Sequence, residues 1–328
     1  MTTYTAPDSV RGAGPATGGD PGRTLMRRGR LAGPIALAML LVAQIAVPQA
    51  VLTAAPLLAV VGILIGVPHG AVDHVVPFWL AGRPVTRGQL AAVVAVYLAI
   101  AAAATAAFLL APGPTLLAFL LLSAVHFGRG EVVSVAESRG TAVPGARQDV
   151  LPTLAHGAVV VGLPVALWPG TSLPLLETLA PSVAQLPAAL PIALGAVAAA
   201  LVVAALAALV LAGRRSEAAE LVLLVVVFTV VPPLAAFGVY FGLWHALRHT
   251  TRLVTLPGPA GPLPVRAGWA RYARHAALPT AVALGALVGL WATRTPSLLT
   301  AELAVLLALT FPHARVVAAL DGARSGSP

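Results

Sequence analysis

The chain contains no cysteine. That absence removes disulfides, iron–sulfur clusters, haem–thiolate chemistry and thiol catalysis, and it leaves any metal to be held by histidine, carboxylate or backbone oxygen. Lysine is missing too. All 20 basic residues are arginine, and Ala and Val dominate the apolar stretches, which reads as a bias towards GC-rich codons rather than as chemistry. Charge is scarce: 9% of the 328 residues are charged, against about 25% in a soluble domain. With 59% hydrophobic residues and a mean hydropathy of +0.92, the chain is read as a polytopic membrane protein. Its net charge of +9 is then no nucleic-acid footprint. The arginines lie mostly between apolar runs, where they set topology and meet anionic lipid head groups. The expected partner is the lipid bilayer, with no nucleic acid.

Long polar stretches are also few. Residues 1–30, rich in Gly and Pro, are expected to form a disordered basic tail, and residues 321–328 a short C-terminal one. Arg23, Arg27, Arg28 and Arg30 precede the apolar run Leu31 to Val47, an order that resembles a signal peptide. A second apolar run, Val51 to Val67, follows almost at once without a polar mature start, so cleavage is not expected. The positive-inside rule puts the N-terminus in the cytoplasm of a multi-pass protein of the cell membrane. Further runs of spanning length fall at about 89–111, 114–128, 150–168, 188–212, 220–249, 274–293 and 297–318, because about 20 apolar residues cross the hydrocarbon core. The expected fold class is therefore all-α: a transmembrane helix bundle of about eight or nine segments forming one domain over 31–320. Arg-bearing links alternate with neutral ones until residues 220–249. A single crossing there would put Arg252, Arg266, Arg271 and Arg274 outside, against the rule. Pro232-Pro233 would break a helix at that point, so a broken or re-entrant segment is the other reading.

What the chain does have is histidine, at membrane depth. Trp244-His245-Ala246-Leu247-Arg248-His249 places two imidazoles four residues apart, one above the other on a helix, which is metal-ligand geometry. The bland alternative is an interfacial pair at a helix end. In Gly66-Val67-Pro68-His69-Gly70-Ala71-Val72-Asp73-His74, Pro68 kinks the segment while Gly66 and Gly70 allow close approach. Asp73 could orient an imidazole there as a carboxylate acceptor, or it could pair with Arg83 at the interface. His126 closes another apolar run, and His69, His126, His245 and His249 each belong to a run long enough to reach one cavity. His156 sits deep in an apolar segment, His275 on an amphipathic face, and His313 follows Phe311-Pro312 as a second-tier candidate for the site.

The blocks GVPHGAVDH (66–74), VHFG (125–128), FGLWHALRH (241–249) and FPH (311–313) resemble, in that order, the Brp/Blh family of integral-membrane β-carotene 15,15′-dioxygenases, from about residue 35 to 320. The resemblance implies a retinal-forming enzyme that uses non-haem Fe(II) and O2 to cleave the central double bond of β-carotene. Carried over by position, the iron ligands would be His69, His126, His245 and His249. The family often has Asp after its HFG block, whereas Arg129-Gly130-Glu131 stands here, and Glu131 is left out of the ligand set. Asp73, His74, His156 and His313 are expected behind the ligands or at the substrate, and Phe127, Phe237, Tyr240, Phe241 and Trp244 are available to line a polyene tunnel. A rhodopsin that takes up retinal within the bilayer is the protein partner this suggests, although nothing in the chain marks a docking surface.

Two other classes stay open on the residues alone. A membrane di-iron desaturase or hydroxylase also places histidines at helix ends, but its dense HxxHH-type clusters need adjacent histidines, and no such pair occurs. A transporter would fit the breaks at Pro68 and Pro232-Pro233, yet no His-bearing segments repeat at regular spacing.

Overall fold

The computed structural model describes residues 20–145, 147–293 and 296–325, with the side chains of 287 and 290–306 excepted. Every regular element in them is helical, apart from an isolated bridge between Gly258 and Gly261. In chain order these are α1 (Pro21–Ala46), α2 (Pro48–Gly66) with a 3-10 turn at Val67–Gly70, α3 (Val76–Leu80), α4 (Arg87–Leu110) and α5 (Pro112–Arg139). There follow α6 (Val150–Gly157), which runs through a π-helical stretch at Ala158–Gly162 into α7 (Leu163–Leu167), then α8 (Pro169–Leu179) and α9 (Leu190–Leu211). The last are α10 (Arg215–Val230), α11 (Pro233–Val239), a π-helical stretch at Tyr240–Ala246, α12 (Leu247–Val254), α13 (Val265–Thr293) and α14 (Pro296–Ser325). Six helical segments among the described residues are long and apolar enough to span a bilayer, from α1 to α9. The expected eight or nine are not reached by that measure.

Helical structure begins earlier and ends later in the chain than the sequence suggests. Asp20-Pro21-Gly22 is a helix start, with proline in the first turn and Asp20 Oδ1 accepting the Gly22 amide at 3.0 Å. Residues 21–30 are therefore helical, and 1–19 lie outside the described residues. At the other end α14 continues to Ser325, which brings Asp321 into the protein instead of leaving it in a tail.

The stretch 220–249 goes out and back. Pro232 has no amide to donate and Val231 and Pro232 are extended, so α10 stops and α11 starts in the opposite direction. Glu220, near the start of α10, and Arg248, in α12, consequently lie 3.1 Å apart. This hairpin removes the conflict over charge. Arg252 and the residues after it return to the end of the bundle that also holds Arg30, Arg139 and Arg214.

Apolar side chains face two ways, as they must in lipid. On α1, Leu31, Ile35, Met39 and Val42 are 57–68% exposed along one stripe, while Gly29, Gly33, Leu37 and Leu40 are buried on the other. The main core joins α1, α2, α5, α6, α9, α10 and α11 around Phe127, Leu221, Phe228, Tyr240 and Trp244. Helix α2 meets α11 almost backbone to backbone. A Cβ on Gly62 would sit 2.0 Å from the Gly238 carbonyl oxygen, so glycine is required at that crossing.

Candidate metal centre

Five histidines from four separate parts of the chain meet in the bundle. His69 comes from the 3-10 turn after α2, His126 from α5, His245 and His249 from the π-helical stretch and α12, and His313 from α14. Ring centroids lie 5.6 Å apart for His69–His245, 5.7 Å for His69–His249 and 4.8 Å for His69–His313. His126 is 5.0 Å from His245 and 5.1 Å from His313, and His249 is 5.6 Å from His313. The ligand atoms of His69, His126 and His313 all lie within 4.8 Å of one another, a spacing that could hold a metal ion.

The outer nitrogens explain how the rings are aimed. His69 Nδ1 is 2.5 Å from the Gly66 carbonyl oxygen, and His313 Nδ1 is 2.8 Å from Asp73 Oδ2. A neutral imidazole has one N–H and one lone pair, so donation from Nδ1 leaves the Nε2 lone pair free. The Nε2 atoms of His126 and His245 face each other at 3.2 Å. Four nitrogens, the Nε2 atoms of His69, His126, His245 and His313, thus have lone pairs or one shared proton between them. A divalent ion could satisfy such a set. His126, His245 and His249 also border a small cavity that Gly130, Glu131, Arg248, Arg252 and Val317 complete. That cavity measures about 10 Å³, room for one water-sized species.

Asp73 is an orienting carboxylate, but for His313 and not for its neighbours His69 or His74. It also accepts from the Tyr97 hydroxyl at 3.2 Å, and no ion pair joins it to Arg83 among the described residues. His74 is turned away, 6.3 Å from His275 between ring centroids, and burial holds its imidazole below the usual histidine range. His275 packs edge-on to Trp79 at 5.7 Å, outside the cluster. His156 is buried in α6 with Nδ1 at 2.7 Å from the Pro152 carbonyl oxygen, and it faces a second cavity beside Glu217 and Glu220.

The aromatic residues divide into two groups. Phe127, Phe237 and Phe241 form a chain of ring contacts that touches the histidines: Phe127 is 4.7 Å from His245, and Phe241 is 5.5 Å from His69. Tyr240 and Trp244, read as tunnel residues from the sequence, are fully buried and turned to Glu131 instead. The Tyr240 hydroxyl donates to Glu131 Oε1 at 3.1 Å, while Trp244 Nε1 and Arg248 Nη1 each donate to Oε2 at 2.6 Å. The Arg248 guanidinium also stacks 4.2 Å from the Trp244 ring centroid. Positions 240, 244 and 248 share one helix face, and 245 and 249 lie one residue further round. Glu131 therefore grips the helix along the face next to the one that carries the histidines. Below it Arg252 is held by Glu137 at 2.7 Å and Asp321 at 2.6 Å. The sequence blocks contained every member of this grip except Glu131, which the sequence reading left out of the ligand set; the spacing 240, 244, 248 marks one helix face but names no partner for it.

Fold and site together define an integral-membrane helical protein with a buried imidazole centre at one end of an apolar bundle. The model of the beta-carotene 15,15'-dioxygenase family matches residues 58–321, and the chain belongs to that family. A probable beta-carotene 15,15'-dioxygenase Blh of Halobacterium salinarum is 33% identical over 297 residues, covering 81% of this chain and 84% of the relative. No solved structure matches the chain.

Proposed function

We propose that the protein cleaves β-carotene with O2 at the central 15,15′ double bond to give two molecules of retinal, using one Fe(II) held by His69, His126, His245 and His249. The observation that carries this reading is the convergence of those four imidazoles, borne on separate elements, in an apolar bundle whose sequence belongs to a carotenoid-cleaving family. Imidazole suits iron but also copper, nickel and zinc, so the donors alone do not choose the metal, and the family supports iron. When bound, the iron supplies the means of activating O2.

The chain's own residues do the rest. The carbonyl of Gly66 fixes the ring of His69, and Glu131 fixes the helix that bears His245 and His249. Phe127, Phe237 and Phe241 offer flat apolar faces beside the histidines, against which a polyene stacks. The cavity at the histidines is far smaller than a C40 hydrocarbon, so substrate entry requires these side chains or the helices flanking them to part. Exposed apolar stripes such as that of α1 give the substrate a route from lipid without crossing water. A rhodopsin in the same membrane could take up the product, and the cell membrane with a cytoplasmic N-terminus is the proposed setting.

Expression in cells that accumulate β-carotene tests the reaction. Loss of yellow pigment with appearance of retinal supports cleavage, and the purified protein should then hold one iron per chain. Hydroxylated or desaturated carotenoid with two irons would establish the di-iron class instead; unchanged pigment would overturn the enzyme reading.

A further inference from the structure

The resemblance leaves His313 outside the set of ligands, and the structure gives it an arrangement that a bystander does not need. Its Nδ1 is 2.8 Å from Asp73 Oδ2. The carboxylate only accepts, so Nδ1 carries a proton, and in the neutral imidazole that a metal requires Nε2 is left with a bare lone pair. That Nε2 atom is buried and has no hydrogen-bond partner, in a structure that satisfies most of its other buried polar side chains. Buried polar atoms in proteins are seldom left without a partner unless a ligand completes them. The lone pair lies in the one group of three possible donors among the described residues that close within 4.8 Å, with His69 and His126. Donors that share one ion through bonds of about 2.1 Å lie about 3–4.2 Å apart, a range that falls inside the 4.8 Å limit the triad meets.

The surroundings of His313 are built, not incidental. Asp73 lies in the turn after α2, Tyr97 on α4 and His313 on α14, so the hydrogen bonds through Asp73 tie three elements behind one ring. Carboxylate–histidine pairs of this kind fix the tautomer and raise the basicity of a ligating imidazole. A latch holding α14 against α4 would use the same contacts, but it would have no need of an unpartnered Nε2.

We propose that His313 is itself a metal donor of this centre, aimed by Asp73, with Tyr97 holding the carboxylate. The inference rests on the iron reading above and adds an imidazole to the four that the resemblance implies.

The test uses the full chain in detergent, loaded with Fe(II) without oxygen, with imidazoles counted by X-ray absorption and affinity measured by titration. His313→Gln keeps the bulk and polarity of the side chain. It should lower the imidazole count by one and weaken Fe(II) binding at least 10-fold. Asp73→Asn should keep the count and weaken binding about 10-fold, as loss of an outer partner does. The same imidazole count and affinity in His313→Gln as in the wild type would overturn the inference, as would unchanged affinity in Asp73→Asn should position 313 tolerate no change. A wild-type protein that binds no Fe(II) would overturn the iron reading as well, which separates that failure from this one.

Discussion

Asp73 has a hydrogen-bonding partner 240 positions along the chain and another 24 positions along, and neither could be read from its neighbourhood in sequence. Four of the five clustered histidines were legible because local patterns mark them: a Pro-His-Gly kink, an apolar run ending in His, and two imidazoles one turn apart. The link between Asp73 and His313 was not legible, since it depends on how α14 packs against α4. At this scale the sharpest expectation concerns His245 and His249. Replacing either by Ala should abolish retinal formation and lower bound iron, and the double variant should be little worse than either single one, because residues that act as a unit are not additive. His275→Ala, which changes a ring packed on Trp79 away from the cluster, should retain most activity. Pigment analysis alongside metal content decides the matter: full iron and near-normal cleavage in either of the first two variants would remove the helix-borne pair from the centre. Arg83→Ala should behave like the control, since no ion pair joins Arg83 to Asp73 among the described residues.

Elements position these residues through breaks in regular geometry as much as through regularity. The π-helical stretch Tyr240–Ala246 accommodates an extra residue in its turn, the kind of local widening often found where a helix carries functional groups. Three side chains on one face of this helix converge on Glu131, a carboxylate that is 3% exposed. Removing one partner of such a buried pair leaves an uncompensated charge and costs about 3–5 kcal/mol. Glu131→Ala should therefore destabilise the protein by that order, although Glu220 remains beside Arg248 at 3.1 Å. Glu131→Gln keeps the shape and, with its carbonyl oxygen in the place of Oε2, an acceptor for both Trp244 and Arg248, but it removes the charge that pairs with Arg248 and turns its amide towards the Tyr240 hydroxyl. It should fold, with iron affinity reduced more than stability, if the grip exists to aim His245 and His249. Thermal unfolding measured beside Fe(II) titration distinguishes the two: equal affinity in a less stable variant would make Glu131 a structural residue only. Sequence alone could not make this assignment. The Arg129-Gly130-Glu131 stretch departs from the family habit of an Asp, and only the packing of α5 against the 240–254 helix shows what the glutamate grips.

The whole molecule is organised by where its charges collect. Apolar run lengths were enough to locate the long helices, because lipid demands about 20 apolar residues and closed backbone hydrogen bonding. But α1, α5, α13 and α14 extend about 7–11 residues beyond those runs, and the short α3 and α8 have no run of their own. Run lengths fail where one apolar stretch holds two passes. Residues 220–249 read as one long segment because hydropathy does not register a reversal; the two prolines that cause it were visible, but their consequence was not. With that hairpin in place, ion pairs join α1, α5, α10, α12 and α14 at one end. On the positive-inside rule this end is expected in the cytoplasm, together with the 255–264 loop that a single crossing would have put outside. The opposite end is marked by Ser182, which packs on Gly113 at the start of α5, a helix about 42 Å long at 1.5 Å per residue. Because the chain has no cysteine, single cysteines can report this arrangement without interference. Arg87→Cys and Ala260→Cys, both at exposed positions near the charged end, should resist a membrane-impermeant thiol reagent in intact cells and react once the membrane is opened. Gln185→Cys, exposed beyond the start of α5, should react in intact cells. If Ala260→Cys reacted together with Gln185→Cys while Arg87→Cys stayed protected, residues 220–249 would cross only once, and Arg248 could not reach the Glu220 and Glu131 carboxylates that hold the histidine helix in place.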